Sequence, residues 1–414
     1  MSRTLNIYEP LSLEAIRAEF PILQTTVNGH PLVYLDNGAS TQKPLAVLEA
    51  LDTYYTTIHS NVHRGVHHLS QLATDAFEAA RHKVAAFLNA AHDHEIIWTK
   101  GTTNGINLVA ATFGRAFLRP GDEVLISRME HHSNIVPWQL ACEQYGATLK
   151  AIPVTESGEL DMEAFRSLLT SRVKILAVTY VSNSLGTVNP VRDLIRAAHA
   201  VDIPVLLDAA QAVQHLDIDV QESDVDFLAF SGHKIYGPTG IGALYGKESW
   251  LNRLPPYEGG GEMIRSVTIE KTTYNDLPFK FEAGTPDISG AIGLGAALDY
   301  LTGIGLERLH RAEGALLGYA LDTLREVPGI RMIGEPRQRS GAISFLLGKH
   351  HPFDVGEILD QQGIAVRTGH HCTQPLMDFY GIPGTVRASF SFYNNREDVD
   401  RLVEGLQLAS RMLG

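Results

Sequence analysis

The stretch DFLAFSGHKIYGPTGIGALYG, Asp226 to Gly246, sets two apolar runs on either side of a glycine-flanked corner that holds Ser231, His233 and Lys234. Neither run alternates apolar with polar residues, which is the pattern of a strand covered on both faces. A lysine in such a corner is either solvated at a rim or desolvated. Desolvation lowers its pKa and makes it a reactive amine of the Schiff-base kind.

Similar runs recur along the chain as EIIWT, EVLIS, TLKAIPV, KILAVTY and IPVLLDA. Helical patterns separate most of them, at Thr103 to Phe117, Asn134 to Tyr145, Met162 to Leu169 and Val191 to Ala200. Apolar strands alternating with helices argue for an α/β fold with a mostly parallel sheet, whose ligands bind beyond the carboxyl ends of its strands. Ser12 to Phe20 reads as a short amphipathic helix, capped by Ser12 and stopped by Pro21. Gly259 to Pro286 is irregular, and Ile288 to about Arg325 is one long helical region. The strand-like GIRMIG and GAISFLL then precede a terminal helix with Val399, Leu402, Val403 and Leu406 on one face. The expected organisation is a large domain over residues 28–302 and a smaller α+β domain from residues 1–27 and 303–414.

The chain of 414 residues has a net charge of -13 and no basic run, so neither nucleic acid nor an anionic membrane is an expected partner. No stretch approaches the roughly 18 apolar residues needed to span a bilayer. The N-terminus MSRTLNIYEPLSLEAIRAEF lacks the apolar centre of a secretory signal. Two cysteines cannot build a disulfide framework, and a reducing, cytoplasmic setting is the expectation. Cys142, in the amphipathic WQLACEQYG, reads as core. Cys372 differs, because it follows two histidines and an arginine-glycine turn in RTGHHCTQPLM, Arg367 to Met377.

Three more corners carry chemistry. TKGTTNGINLVA places Gly101, Thr102 and Thr103 where a strand turns into a helix, and free N–H groups and hydroxyls there suit a phosphate. VLLDAAQAV ends a buried run with Asp208, and Gln211 follows three residues later. A carboxylate so placed is costly unless it meets a cation or donors. ISRMEHHSN puts His131 at a further strand end. Each signal alone is weak, since Ser and Thr cap helices widely and Asp208 also reads as a cap. GPTGIG fits neither a Walker A loop nor G-x-G-x-x-G. Together, a phosphate cradle, a buried carboxylate and a corner lysine are what pyridoxal 5'-phosphate (PLP) needs. The lysine takes its aldehyde, the carboxylate its ring nitrogen, and hydroxyls and N–H groups its phosphate, with His131 stacked on the ring.

These motifs, with EGGGEMI, FEAGTP and RTGHHC, resemble the class V aminotransferase family of fold-type I PLP enzymes. More narrowly they resemble the Suf-type (group II) cysteine desulfurases, from FPIL at Phe20 to the terminal helix. The resemblance implies a large, mostly parallel sheet domain of the seven-stranded type and a smaller α+β domain carrying the Cys372 motif. It implies PLP held covalently on Lys234, which also moves the Cα proton, with Asp208 at the ring nitrogen and Gln211 at the ring hydroxyl. His131 matches the stacking residue, and Thr103, Ser231 and His233 match phosphate ligands, with Thr102 nearby. Thr285 matches a phosphate contact supplied by the other subunit, which implies a homodimer. Asn183 and Arg387 match groups that hold the substrate amino acid, Arg387 as the carboxylate fork. His63, Arg64 and Arg367 match the rim of the substrate pocket. The implied activity converts L-cysteine to L-alanine and leaves a persulfide on Cys372, whose thiolate His370, His371 and Arg367 would favour. A SufE- or SufU-like protein would accept that sulfur for iron–sulfur cluster assembly. Asn104, where the family often has an acidic residue, and Thr373, where alanine is frequent, depart from the pattern.

Two other readings use the same residues. A selenocysteine lyase acting on L-selenocysteine would need the same cavity and depend less on Cys372. A metal-dependent hydrolase would draw on His63 and His67, or on His370, His371 and Cys372. No H-E-x-x-H motif is present, and Lys234 would have no role in it, so no metal is expected.

Overall fold

A computed structural model describes residues 12–414. The residues before Ser12, which carry most of the N-terminal reading and the opening of the smaller domain, lie outside the described residues. The apolar runs form a seven-stranded sheet of β1 (Ile96–Thr99), β2 (Glu123–Ser127), β3 (Thr148–Ile152), β4 (Val173–Thr179), β5 (Val205–Asp208), β6 (Phe227–Ser231) and β7 (Gly242–Gly246). Their spatial order is β1-β7-β6-β5-β4-β2-β3. β2 to β6 pair in parallel, and β7 runs antiparallel to both β6 and β1.

The runs are continuously apolar because alternate side chains enter two different cores. Leu207, Leu228 and Phe230 pack in one, with Val84 of α2 (His68–Leu88). Leu206, Phe227 and Ala229 pack in the other, with Ile106 and Phe113 of α3 (Thr102–Phe117) and Trp138 of α4 (Val136–Tyr145). Leu194 of α5 (Val191–His199) and Leu294 of α6 (Ile288–Ile304) complete the first core. Apart from the exposed edge strand β3, both faces of the sheet are therefore dry, as parallel pairing requires. The strand ends and that edge strand are left as polar margins.

The long helical region is two helices, α6 and α7 (Leu306–Arg325), which bend by 80°. Gly305 between them takes φ 100°, a conformation that glycine alone adopts at little cost. No single described helix is long and apolar enough to cross a membrane. The second, antiparallel sheet consists of β8 (Ile330–Met332), β9 (Ala342–Leu347), β10 (Arg367–Gly369) and β11 (Thr385–Ser389), in the order β8-β9-β11-β10. Leu324 of α7, Leu359 of α8 (Pro352–Gln361) and Leu402 of a terminal helix cover it. Between β10 and β11 lies the short α9 (Gln374–Tyr380), and the terminal helix is α10 (Arg396–Leu413), opened by an Asn395–Asp398 capping box.

Contacts cross the division near residue 28 in both directions. Ile16 and Phe20, around α1 (Leu13–Ala18), pack into the large core, with Phe20 against Tyr236, Phe392 and Tyr393. Ser12 precedes α1 without a side-chain cap. Val33 and Leu35 join the core of the smaller sheet, and Val33–Tyr34 pair with Ile364–Ala365.

The irregular segment after Gly259 contains an exposed hairpin of Ile264–Val267 and Thr272–Tyr274. Further along the segment Glu282 is held by Arg81 of α2, which is 1% exposed. That guanidinium donates to Glu282 at 2.6 and 3.0 Å, to Glu78 at 2.8 Å and to the Ile96 carbonyl at 2.9 Å.

One close approach ties the antiparallel strand to the corner after β1. A Cβ on Gly242 would stand 2.3 Å from the Phe230 carbonyl oxygen and 2.6 Å from the Gly101 Cα, both backbone atoms. Gly242→Ala is expected to destabilise the fold by about 1–3 kcal/mol. Denaturant titration of the variant beside the native protein checks this, and coincident curves would show that the corner gives way freely.

Candidate active site

The ends of β1, β2, β4, β5 and β6 open into one cavity of about 320 Å³. The large sheet contributes Thr102, Thr103, His131, Asn183, Asp208, Gln211, Ser231, His233 and Lys234 to its lining. Arg367, Cys372 and Arg387 reach it from the smaller sheet and the loop after β10. Thr285, His63 and Arg64 do not. They line a separate cavity of about 160 Å³, where Arg64 meets Glu262 at 2.7 Å and His63 meets Glu78 at 2.9 Å.

The register explains which strand ends meet. Gly242 of β7 stands opposite both Ser231 and Thr99, so the corners after β1 and β6 are brought together across it. There Gly101 takes φ 132°. The Thr102 N–H donates to Ser231 Oγ at 2.8 Å, and the two hydroxyls lie 2.8 Å apart. The first turn of α3 with these hydroxyls has the donors that suit an anion. Asn104 takes the Lys100 N–H at 3.1 Å and so serves its own corner.

Asp208 lies in register with Thr179 of β4 and Ala229 of β6. It is 3% exposed. Among the described residues its carboxylate accepts one hydrogen bond, from the Ala210 N–H at 2.9 Å. Burial raises its pKa. Burial lowers that of Lys234 to about 8, although the Asp208 charge opposes the shift. Burial, together with the charge of Lys234, also lowers His131 and His233 to about 4, so both rings are neutral at pH 7. Gln211 donates one amide hydrogen to the Gly38 carbonyl at 2.7 Å.

Two carboxylates that the sequence did not point to organise this region. Glu130 is fully buried, and burial raises its pKa to about 8. It accepts from the Ser127 hydroxyl, from Asn134 at 2.7 Å and from the Thr179 N–H at 2.9 Å, which binds the end of β2 to the end of β4. Asp36 accepts from Arg367 Nε at 3.0 Å and Nη2 at 2.8 Å, and from Arg387 Nη2 at 3.0 Å. Arg387 is 1% exposed; its Nη1 donates to the Asn183 carbonyl at 2.8 Å, and its Nε has no partner among the described residues. Asn183 in turn donates to the His371 carbonyl at 2.7 Å, and so holds the cysteine loop.

The expectation that His370 and His371 would favour a thiolate is corrected by their placement. His371 is buried with Nε2 2.8 Å from the Thr385 hydroxyl, and burial with the Arg387 and Arg367 charges drives its pKa to about 2. His370 accepts the Cys372 N–H on Nδ1 at 3.0 Å, which requires a bare ring nitrogen. Neither is a cation beside the sulfur in this arrangement. Arg367 lines the cavity beside Cys372, with its fork on Asp36. Thr373 is fully buried, paired with Ser184 at 2.6 Å and with the His370 carbonyl at 2.9 Å. Cys142 is core, and burial raises its pKa to about 11. Among the described residues no three His, Cys, Asp or Glu side chains converge as metal ligands. His67 instead accepts the Ser70 N–H at the start of α2.

The profile of the Aminotransferase class-V family matches residues 33–402, and the chain belongs to that family. It is 53% identical over 407 residues to a cysteine desulfurase of Dickeya dadantii, covering 98% of each chain. A cysteine desulfurase of Pectobacterium carotovorum subsp. carotovorum is 52% identical over 97% of this chain and 99% of its own. Among solved structures, the cysteine desulfurase CsdA of Escherichia coli superposes with a TM-score of 0.90 at 41% identity, covering 98% of this chain and all of that one. The cysteine motif suggested the Suf-type subgroup, whereas a CsdA stands among the solved relatives; these likenesses establish the family and leave that narrower assignment without support.

PLP is the cofactor of this family, and the amine that captures its aldehyde must be neutral. A lysine at about 8 is half neutral at pH 8, where an ordinary lysine is almost wholly charged. PLP uptake by the apoprotein is expected to accelerate up to about pH 8 and then level off. Stopped-flow absorbance across pH 6 to 10 measures it, and a rise continuing past pH 10 would place the capturing lysine in solvent.

Proposed function

We propose that the protein is a PLP-dependent cysteine desulfurase, which takes sulfur from L-cysteine, leaves L-alanine and holds the sulfur as a persulfide on Cys372. The observation that carries this reading is a single cavity lined by a desolvated lysine, a buried carboxylate and a free thiol.

The residues fit the cofactor. Asp208 is a buried carboxylate with a single backbone donor, which suits a protonated ring nitrogen. Thr102, Thr103, Ser231 and His233 would take the phosphate, Gln211 the ring hydroxyl, and the neutral His131 would stack without adding charge. When bound, PLP supplies an aldehyde that joins amines and a ring that takes up the electron pair left when a Cα proton departs. Lys234 holds the PLP and moves that proton. Asn183 and Arg387 orient the substrate, Arg387 as the fork for its carboxylate, with Arg367 at the rim of the pocket. Cys372, as the thiolate, attacks the substrate sulfur. The new S–S bond forms as the C–S bond breaks. Its electron pair stays with the carbon, where a proton completes alanine.

Thr285, His63 and Arg64 stand outside their own chain's cavity, which supports a homodimer in which each chain lends them to its partner. The persulfide then passes to a thiol of an acceptor protein in support of iron–sulfur cluster assembly. Two unpaired thiols accord with work in the cytoplasm.

Asp208→Ala is expected to bind PLP yet release alanine from L-cysteine about 30- to 1,000-fold more slowly, the loss of one charge-assisted contact of about 2–4 kcal/mol. A variant that folds, binds PLP and turns over at the native rate would reduce Asp208 to a helix cap. Cys372→Ala is expected to keep the PLP absorbance and to lose alanine release from L-cysteine, while L-selenocysteine turnover survives in part. Undiminished release from L-cysteine would favour the selenocysteine lyase reading instead.

A further inference from the structure

We propose that His132 is a positioning residue for Cys372, holding the cysteine loop by its backbone N–H and by a neutral ring. The loop between β10 and α9 passes through left-handed backbone space at two successive residues, His371 at φ 50° and Cys372 at φ 57°. Non-glycine residues are rarely found there, and a pair of them persists only when bonds from outside over-determine the path. His132 supplies two such bonds. Its N–H donates to the Cys372 carbonyl at 2.8 Å, and its ring Nε2 accepts the Gln374 N–H at 3.2 Å. Across from it, His370 Nδ1 accepts the Cys372 N–H at 3.0 Å, and the two imidazoles lie 5.6 Å apart, tilted by 36°.

The direction of these bonds determines the protonation. Backbone N–H groups only donate, so Nε2 of His132 and Nδ1 of His370 are both bare, and each ring carries its proton on the other nitrogen. A second proton on His132 would set N–H against N–H at Gln374 and release the loop there. The titratable groups around the ring are His131 on its own turn, and His370 and Cys372 on the loop; α9 meets it through the uncharged Gln374. Burial keeps its pKa below the usual histidine value, which favours the holding form at neutral pH. Because His131 lines the cavity and His132 is its neighbour, one turn relates the place of the thiol to the place of the cofactor.

The inference rests on Cys372 being the reacting thiol, and its test separates the two ideas. In the PLP-loaded enzyme at pH 7.5, His132→Ala is expected to raise the rate of Cys372 alkylation by iodoacetamide about 3- to 10-fold, the scale of one lost hydrogen bond. Alanine release from L-cysteine is expected to fall by a similar factor, with bound PLP and its absorbance unchanged. His132→Gln, whose amide oxygen can accept from Gln374, is expected to restore both rates. As the pH falls through the His132 pKa, which lies below the usual histidine value, the native alkylation rate should approach that of His132→Ala, while His132→Gln stays apart. Peptide mass spectrometry distinguishes Cys372 from Cys142. Unchanged alkylation in His132→Ala overturns the proposal, as does a loss of PLP in step with activity, which would assign His132 to the cofactor. Failure of the native enzyme to release alanine would sink the desulfurase reading alone, since the alkylation contrast does not depend on turnover.

Discussion

A buried carboxylate and a desolvated amine at the ends of adjacent strands are the constraint on which the rest of this structure depends. Asp208 ends β5, and Lys234 follows the end of β6, its neighbour in the sheet. Burial disfavours both charges, and their attraction offsets only part of that cost. The arrangement is tolerable because both faces of the sheet supply a large apolar interior. A cavity that keeps two opposed charges short of partners is a cavity prepared for a charged, aromatic occupant.

The smaller sheet and the loop after β10 contribute Cys372 and two arginines to the cavity, and Asp36 joins the two parts. Its carboxylate takes arginines from both β10 and β11, and Arg387 passes the connection on to Asn183 and so to the cysteine loop. The bidentate geometry at Arg367 fixes orientation as well as distance. Cys372 is therefore held by a chain of contacts that starts in the N-terminal stretch and crosses the cavity.

The strands and most of the cavity lining were legible in the sequence, because continuous apolar runs and polar corners are local signals. Asp208, Lys234, His131 and the threonines after Gly101 all follow a run directly. Asp36 and Glu130 escaped notice for a physical reason. Asp36 acquires its meaning from Arg367 and Arg387, some three hundred residues away, and Glu130 looks in sequence like any acidic residue at a solvent margin. The two histidines before Cys372 misled in the opposite direction. Proximity in sequence suggested cations beside the sulfur, but the left-handed turn sends His371 into the smaller sheet. Gly305 could have been read as a break, yet glycines recur through α6 and α7, so one more did not stand out. Thr285, His63 and Arg64 were picked out by motif, and the structure gathers them in a second cavity.

The clasp of Arg81 on Glu282 and Glu78 contains one carboxylate with an unusual tolerance of acid, Glu78 on α2. Burial alone would raise the Glu78 pKa, but His63 and Arg81 outweigh it and bring it down to about 2. A carboxylate depressed in this way stabilises the folded form above its unfolded pKa, and the contribution disappears only as the pH falls through the folded value. At pH 4, where exposed carboxylates are already taking up protons, Glu78 is still ionised and its pairing with Arg81 on α2 intact. Acidification should therefore loosen exposed ion pairs well before it breaks the one between Glu78 and Arg81.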